Sequence, residues 1–256
     1  MIRVADVGGL ELRPAAFAAL AVAVEAAYFL KGFSGFGPAL IFMPVASVVY
    51  GPRLALATSA VVDIVVGGAL LFALRYSGEE KRLIVRMTAY VAAGAVVGAS
   101  LAGVLPADAL LALIALIVFV LGVRLWLAAG RQISAGLVAR RSTAVACVAG
   151  GVSGGLTGVS GPFVVAGAAR LDKSSFRRVL VAVFLVEGIV KTIVYGLTGI
   201  PFGQVLALSL AIAPFIATGL GLGAAAHFRV SQRRFFQATG AVLVALALET
   251  VVALLR

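Results

Sequence analysis

The sequence predicts an all-α, polytopic membrane helix bundle of two inverted repeats, five segments each, with short broken helices after glycine-rich turns. Three observations predict it. The chain of 256 residues is 62% hydrophobic and 12% charged, with a mean hydropathy of +1.15. A soluble domain of this size would expose too much apolar surface. Apolar runs of about 18 or more residues recur along the chain, each long enough for roughly 30 Å of hydrocarbon. Twice, finally, a glycine-rich turn runs into proline inside apolar sequence, at Gly32-Phe33-Ser34-Gly35-Phe36-Gly37-Pro38 and Gly155-Leu156-Thr157-Gly158-Val159-Ser160-Gly161-Pro162.

The apolar segments cover 14–31, 38–50, 54–75, 86–105, 108–129, 139–155, 162–171, 176–198, 203–226 and 236–255. At about 1.5 Å per residue the second and seventh are too short to cross comfortably, and both follow the glycine turns. Arg3, Asp6, Glu11 and Arg13 precede the first run and Glu25 lies inside it. A cleaved signal peptide normally carries an uncharged apolar stretch, so a retained first helix is expected. Continuous runs without period-2 alternation argue against a β-barrel. No hydrophilic stretch is long enough for a separate soluble domain, so one transmembrane domain is expected over residues 1–256.

The halves align at an offset of 124, pairing Gly37 with Gly161, Pro38 with Pro162, Arg53 with Arg177 and Asp63 with Glu187. Just upstream an offset of 123 pairs Gly35 with Gly158 and Gly32 with Gly155. This predicts an internal repeat, about 14–129 and about 139–255. Five segments are an odd number, so the second copy should be inverted.

Loop charge tests the inversion. If every segment changes side, residue 31 and loops 75–86, 124–141, 170–178 and 229–234 share one face and hold 16 of the 21 Lys and Arg. Arg3, Arg13, Arg53 and Arg256 take the other face, and Lys191 stays inside a segment. That bias follows the positive-inside rule and places both termini outside the cytoplasm. The same distribution accounts for the net charge of +11. Short basic clusters between apolar runs are topology signals rather than a nucleic-acid surface.

The turns carry the first candidate site. A helix broken within lipid survives only when buried in protein or lining a cavity, because lipid supplies no hydrogen bonds. Two breaks in corresponding positions point to a transporter's binding site. Glycine lets a ligand approach the main chain, and proline suits a helix start. Helix N-termini favour anions. In an inverted pair the two turns enter from opposite faces and are expected to meet near the midplane. The expected substrate-binding residues are Ser34, Gly35, Gly37, Pro38, Thr157, Gly158, Ser160, Gly161, Pro162 and Lys191. Packing glycines are the plainer reading, but packing alone does not call for the following proline.

Buried charges carry the second. Asp63 and Glu187 occupy equivalent positions, and Lys191 follows Glu187 at i, i+4. Ionisable groups inside a span should face the protein interior and be paired. Lys191 is a candidate cation for an anionic substrate; Asp63, Glu187 and Glu25 are candidates for proton coupling. An intrahelical structural ion pair is the competing reading for Glu187 and Lys191. Glu249, His227, Trp126 and Arg124 read as interfacial or solvated positions.

No catalytic constellation is present. Cys147 is the only cysteine and His227 the only histidine, and there is no phosphate-loop motif. No enzyme activity, cofactor or metal site is expected. Transport is then passive or coupled to an ion gradient.

The paired turns, together with the basic segment Asp172-Lys173-Ser174-Ser175-Phe176-Arg177-Arg178 feeding the next helix, resemble the TauE/SafE family of sulfite and organosulfonate exporters. The resemblance covers nearly the whole chain. It implies an inner-membrane carrier of small sulfur-containing anions such as sulfite, sulfonates or sulfoacetate. The chain departs from that family's run of consecutive glycines, having Gly37-Pro38 and Ser160-Gly161-Pro162. The expected partners are a small anion and the bilayer, with no nucleic acid; a homo-oligomer is compatible with the sequence. The alternatives are a membrane transporter of another small anion or metabolite, and a non-transporting membrane assembly factor; a thiol-transferring factor would need a cysteine pair, and a cation exporter would need more acids, histidines or thiols in the core.

Overall fold

In the computed structural model the described residues are 5–7, 10–34, 37–71, 77–127, 142–168, 173–226 and 232–255. They contain a small hairpin, β1 (Ala5–Val7) with β2 (Leu10–Leu12), paired antiparallel with Asp6 opposite Glu11. Ten helices follow: α1 (Pro14–Ser34), α2 (Ala39–Tyr50), α3 (Pro52–Leu71), α4 (Gly78–Val104), α5 (Ala107–Leu127), α6 (Ser142–Thr157), α7 (Gly161–Ala168), α8 (Lys173–Leu197), α9 (Phe202–Ala226) and α10 (Gln232–Leu254). Seven are long and apolar enough to cross a membrane. The helices after the two glycine turns are short, 12 residues in α2 and 8 in α7. The hairpin is the one element that the apolar runs did not anticipate; it lies ahead of the first run, where Asp6 and Glu11 interrupt the apolar residues.

Local chemistry sets the boundaries. Gly51, with φ +87°, closes α2, and Pro52 opens α3 at a position where proline's missing N–H is harmless. A reciprocal cap begins α4: the Glu80 N–H donates to Ser77 Oγ at 3.2 Å and the Ser77 N–H donates to Glu80 Oε2 at 2.7 Å. Gly199, with φ +78°, separates α8 from α9.

The helices pack as two units, each drawing on both halves of the sequence. The first gathers α1, α2, the opening of α3 up to Thr58, α5, α9 and α10. Here α1 runs parallel to α9 with backbones in near contact: a side chain at Gly219 or Gly223 would strike the main chain of Glu25 or Phe29, and one at Gly32 that of Leu220. Gly122 and Gly240 allow the same approach between α5 and α10. α2 packs on α1, α5 and α10.

The second unit holds α3 from Ser59, with α4, α6, α7 and α8. Gly94 and Gly98 of α4 lie on the main chain of Val148 and Val152; Gly151 and Gly155 of α6 return the contact on residues 91–99. Small residues four apart let membrane helices approach to backbone contact. Thus the first helix of each half-sequence packs on the fourth helix of the other half. α8 runs parallel to α4. Their starts are joined where Arg178 donates to Glu80 Oε1 through Nε at 2.8 Å and Nη2 at 2.6 Å, while Gly103 meets Thr198 towards the far ends. Met87, Val91, Cys147, Val164, Val179 and Val183 form an apolar core between α4, α6, α7 and α8.

Candidate functional site

In the second unit α6 ends at Thr157 and the chain reverses. Gly158 takes φ +77°, a conformation side chains resist, and its N–H donates to Gly154 O at 2.9 Å. The remaining polar groups of the turn are bonded almost completely. Thr157 Oγ1 donates to Ser153 O at 2.8 Å and accepts from the Val159 N–H at 3.4 Å; Ser153 Oγ donates to Val159 O at 2.6 Å. Tyr195 Oη donates to Gly155 O at 2.7 Å. A helix end buried from water needs such partners for its last carbonyls, and here Ser153, Gly154 and Gly155 all have them.

α7 then begins. The Phe163 and Val164 N–H groups donate to Ser160 O, and Pro162 has no N–H. Of the first four helical residues, Gly161 has the one N–H outside these bonds. Ser160 does not cap the helix with its side chain. Its hydroxyl donates instead to Glu187 Oε2 at 2.9 Å, tying the turn to α8.

Glu187, Lys191 and Tyr195 follow one another at i, i+4 and i+8 in α8. The Glu187 side chain is 1% exposed and that of Lys191 3%. Lys191 Nζ stands 3.5 Å from Glu187 Oε1 and 3.6 Å from Asp63 Oδ2, which α3 brings in from the first half of the sequence. Both separations exceed the roughly 2.8 Å of a tight charge-assisted bond. Glu187 Oε1 accepts no hydrogen bond among the described residues. It packs on Gly154, where any side chain would strike it. α3 and α8 pass antiparallel here, with Gly188 against Ala60 and Asp63 and Gly67 against Leu185.

This unit therefore brings together Thr157, Gly158, Ser160, Gly161, Pro162, Glu187, Lys191 and Asp63. Thr157 differs from the expected free donor, because its one hydroxyl proton is engaged by Ser153. Gly37, Pro38 and Glu25 belong to the first unit. Gly37 has φ +86° and Pro38 opens α2, with Pro38 O accepting from the Ile41 and Phe42 N–H groups. Glu25 is half-buried on α1, where its main chain faces Gly219. The side chain of Ser34, and Gly35 altogether, lie outside the described residues, as does His227. Sequence reasoning missed Tyr195, although its place one turn beyond Lys191 was a readable signal. It also missed Ser153, for which there was none.

With every group ionised, one ammonium faces two carboxylates and the cluster carries one net negative charge. Removing one partner of a buried ion pair costs about 3–5 kcal/mol, since the other charge is left uncompensated. Lys191 is thus held between acids from different halves of the sequence.

No curated protein and no solved structure matches the chain. Seven apolar helices make it a multi-pass membrane protein. A family model described as sulfite exporter TauE/SafE matches residues 19–250, and the chain belongs to that family of membrane transporters.

Proposed function

We propose that the chain is a secondary carrier, working as an exporter of small sulfur-containing anions such as sulfite, sulfonates or sulfoacetate, in the inner membrane. It works by alternating access between two inverted repeats within a single transmembrane domain. The anion binds at the second glycine turn, between the Gly161 N–H and Lys191, with Ser160 beside it. Gly158 and Thr157 shape the turn, and Pro162 fixes the helix start. In the first turn, Ser34, Gly35, Gly37 and Pro38 are the corresponding candidates. Asp63 or Glu187 takes up protons, with Glu25 a further candidate on α1.

One observation carries this reading: the Ser160–Glu187 bond joins a broken-helix turn to a buried cation held by two acids. Ionisable groups so deep in a span are costly and mark substrate or proton pathways. Support for the inverted repeat comes from the reciprocal packing, α1 on α9 and α6 on α4. The Glu80–Arg178 pair supports the topology, because it sets the starts of α4 and α8 at the same end of their unit, as the loop charges require.

The test is flux in proteoliposomes loaded with sulfite or a sulfonate. Lys191→Met and Gly161→Leu should each abolish carrier-dependent movement. Full transport by both variants would remove this site.

A further inference from the structure

Resting on that reading, we infer that Asp63 is the proton-exchanging group and that the carrier moves one proton with each monoanion, so the cycle is electroneutral. The argument is one of charge. Lys191 is balanced by Glu187 and Asp63 together, at 3.5 and 3.6 Å. An anion brought to Lys191 with both acids ionised would meet two negative charges across one positive charge. Like charges repel strongly where little water screens them. Taking a proton from solution onto an Asp63 carboxylate oxygen removes one of those charges and frees one side of the ammonium. The site then carries no net charge, and binding a monoanion returns it to one negative charge, the value of the empty site. Release of anion and proton on the far side restores the starting state. Loaded and empty carriers thus cross with the same charge.

The two acids are not equivalent. Glu187 is sealed at 1% exposure, with Oε2 held by the Ser160 hydroxyl and Oε1 against Gly154. The Asp63 side chain is 18% exposed, six times the exposure of Lys191. Of the two acids, Asp63 is the less enclosed. Besides these, α8 carries Lys173, Arg177, Arg178 and Tyr195, α6 carries Cys147, α3 carries Arg53, and α4 carries Glu79, Glu80, Lys81, Arg82, Arg86 and Tyr90. Among the described residues, Asp63 and Glu187 are the ion-pair partners of Lys191. Lys191 has no counterpart in the first half: the equivalent position is Gly67. One cation for two acids is therefore built into the repeat.

The experiment uses the full chain in proteoliposomes with methanesulfonate, which stays a monoanion across the working pH range, so any proton that moves is carried by the protein. A one-unit pH gradient, acid outside, should accumulate the anion about tenfold, while a potassium–valinomycin voltage alone should accumulate none. Asp63→Asn imitates the protonated acid and leaves Lys191 paired with Glu187. It should abolish accumulation by the pH gradient yet keep methanesulfonate counterflow, which also shows that the variant is folded. Asp63→Glu should restore the response to pH. Voltage-driven accumulation by the wild type, pH-driven accumulation by Asp63→Asn, or loss of its counterflow would each overturn the inference. If the wild type moves neither methanesulfonate nor sulfite under any gradient, the proposed function itself fails instead.

Discussion

The two glycine turns arise from matching stretches of sequence, yet they sit in different company. The second turn reverses the chain at Gly158 and reaches α8 through Ser160; around it stand Glu187, Lys191, Asp63 and Tyr195. The first turn belongs to a unit in which its positive φ falls at Gly37, directly before proline, whereas Gly158 lies four residues before Pro162. Asp63 aligns with Glu187 in the sequence. It lies just past the Thr58–Ser59 boundary on α3 and joins the second unit, so both repeat-related acids meet on one lysine. Matching stretches of sequence thus end in different local chemistry.

That contrast can be broken most forcefully at the shared cation. Lys191→Met leaves two acids uncompensated and should cost about 3–5 kcal/mol of stability together with transport. Adding Asp63→Asn and Glu187→Gln should recover most of the stability, read as thermal unfolding in detergent, but not the transport. If Lys191→Met alone is as stable as the wild type, the three groups do not form a buried cluster.

Next in size are the packing glycines. Gly98→Val in the second unit and Gly223→Val in the first both drive a side chain into a facing backbone, on Val152 and Phe29 respectively. Each should cost about 1–3 kcal/mol by overpacking. Gly221, which has open space around it, should accept alanine within about 0.5 kcal/mol. Similar losses at Gly98 and Gly223 would show that the two helix pairs are equivalent supports, and a large difference would show that they are not.

Alanine at Gly37 and at Gly158 sharpens the comparison between the turns. Both positions have positive φ, so each substitution should lose roughly 1–2 kcal/mol. Transport per folded molecule should fall further at Gly158 than at Gly37, and equal falls would contradict the asymmetry. Among the substitutions at the turns, the smallest expected loss is at Tyr195→Phe. It strands the Gly155 carbonyl and should cost about 1 kcal/mol, with a changed KM because the turn loosens.

Much of this architecture was legible in the sequence, for identifiable reasons. Continuous apolar runs mark spans whatever their neighbours, so nine of the ten helices begin within a few residues of the expected segments; α4 begins earlier, at Gly78, where Ser77 and Glu80 form a cap that hydropathy cannot see. Gly-Pro pairs announced the short helices α2 and α7. The i, i+4 spacing exposed the Glu187–Lys191 pair, but spacing along one helix says nothing of a third group on another, so Asp63 stood only as the position equivalent to Glu187 and a candidate for proton coupling. The same limit hid the Glu80–Arg178 bridge, whose partners come from different halves of the chain. The glycines at 94 and 98, 151 and 155, and 219 and 223 were visible as small residues four apart, yet the pattern names no partner.

The most direct test is to locate the anion. Crystals grown with selenite, a heavier sulfite analogue, give an anomalous signal at the bound atom. A peak within reach of the Lys191 ammonium and the Gly161 N–H, weakened when the crystals are moved to alkaline pH, is the expected result. A transporting protein whose selenite peak lies elsewhere, with Lys191 still held between Asp63 and Glu187, would contradict the account.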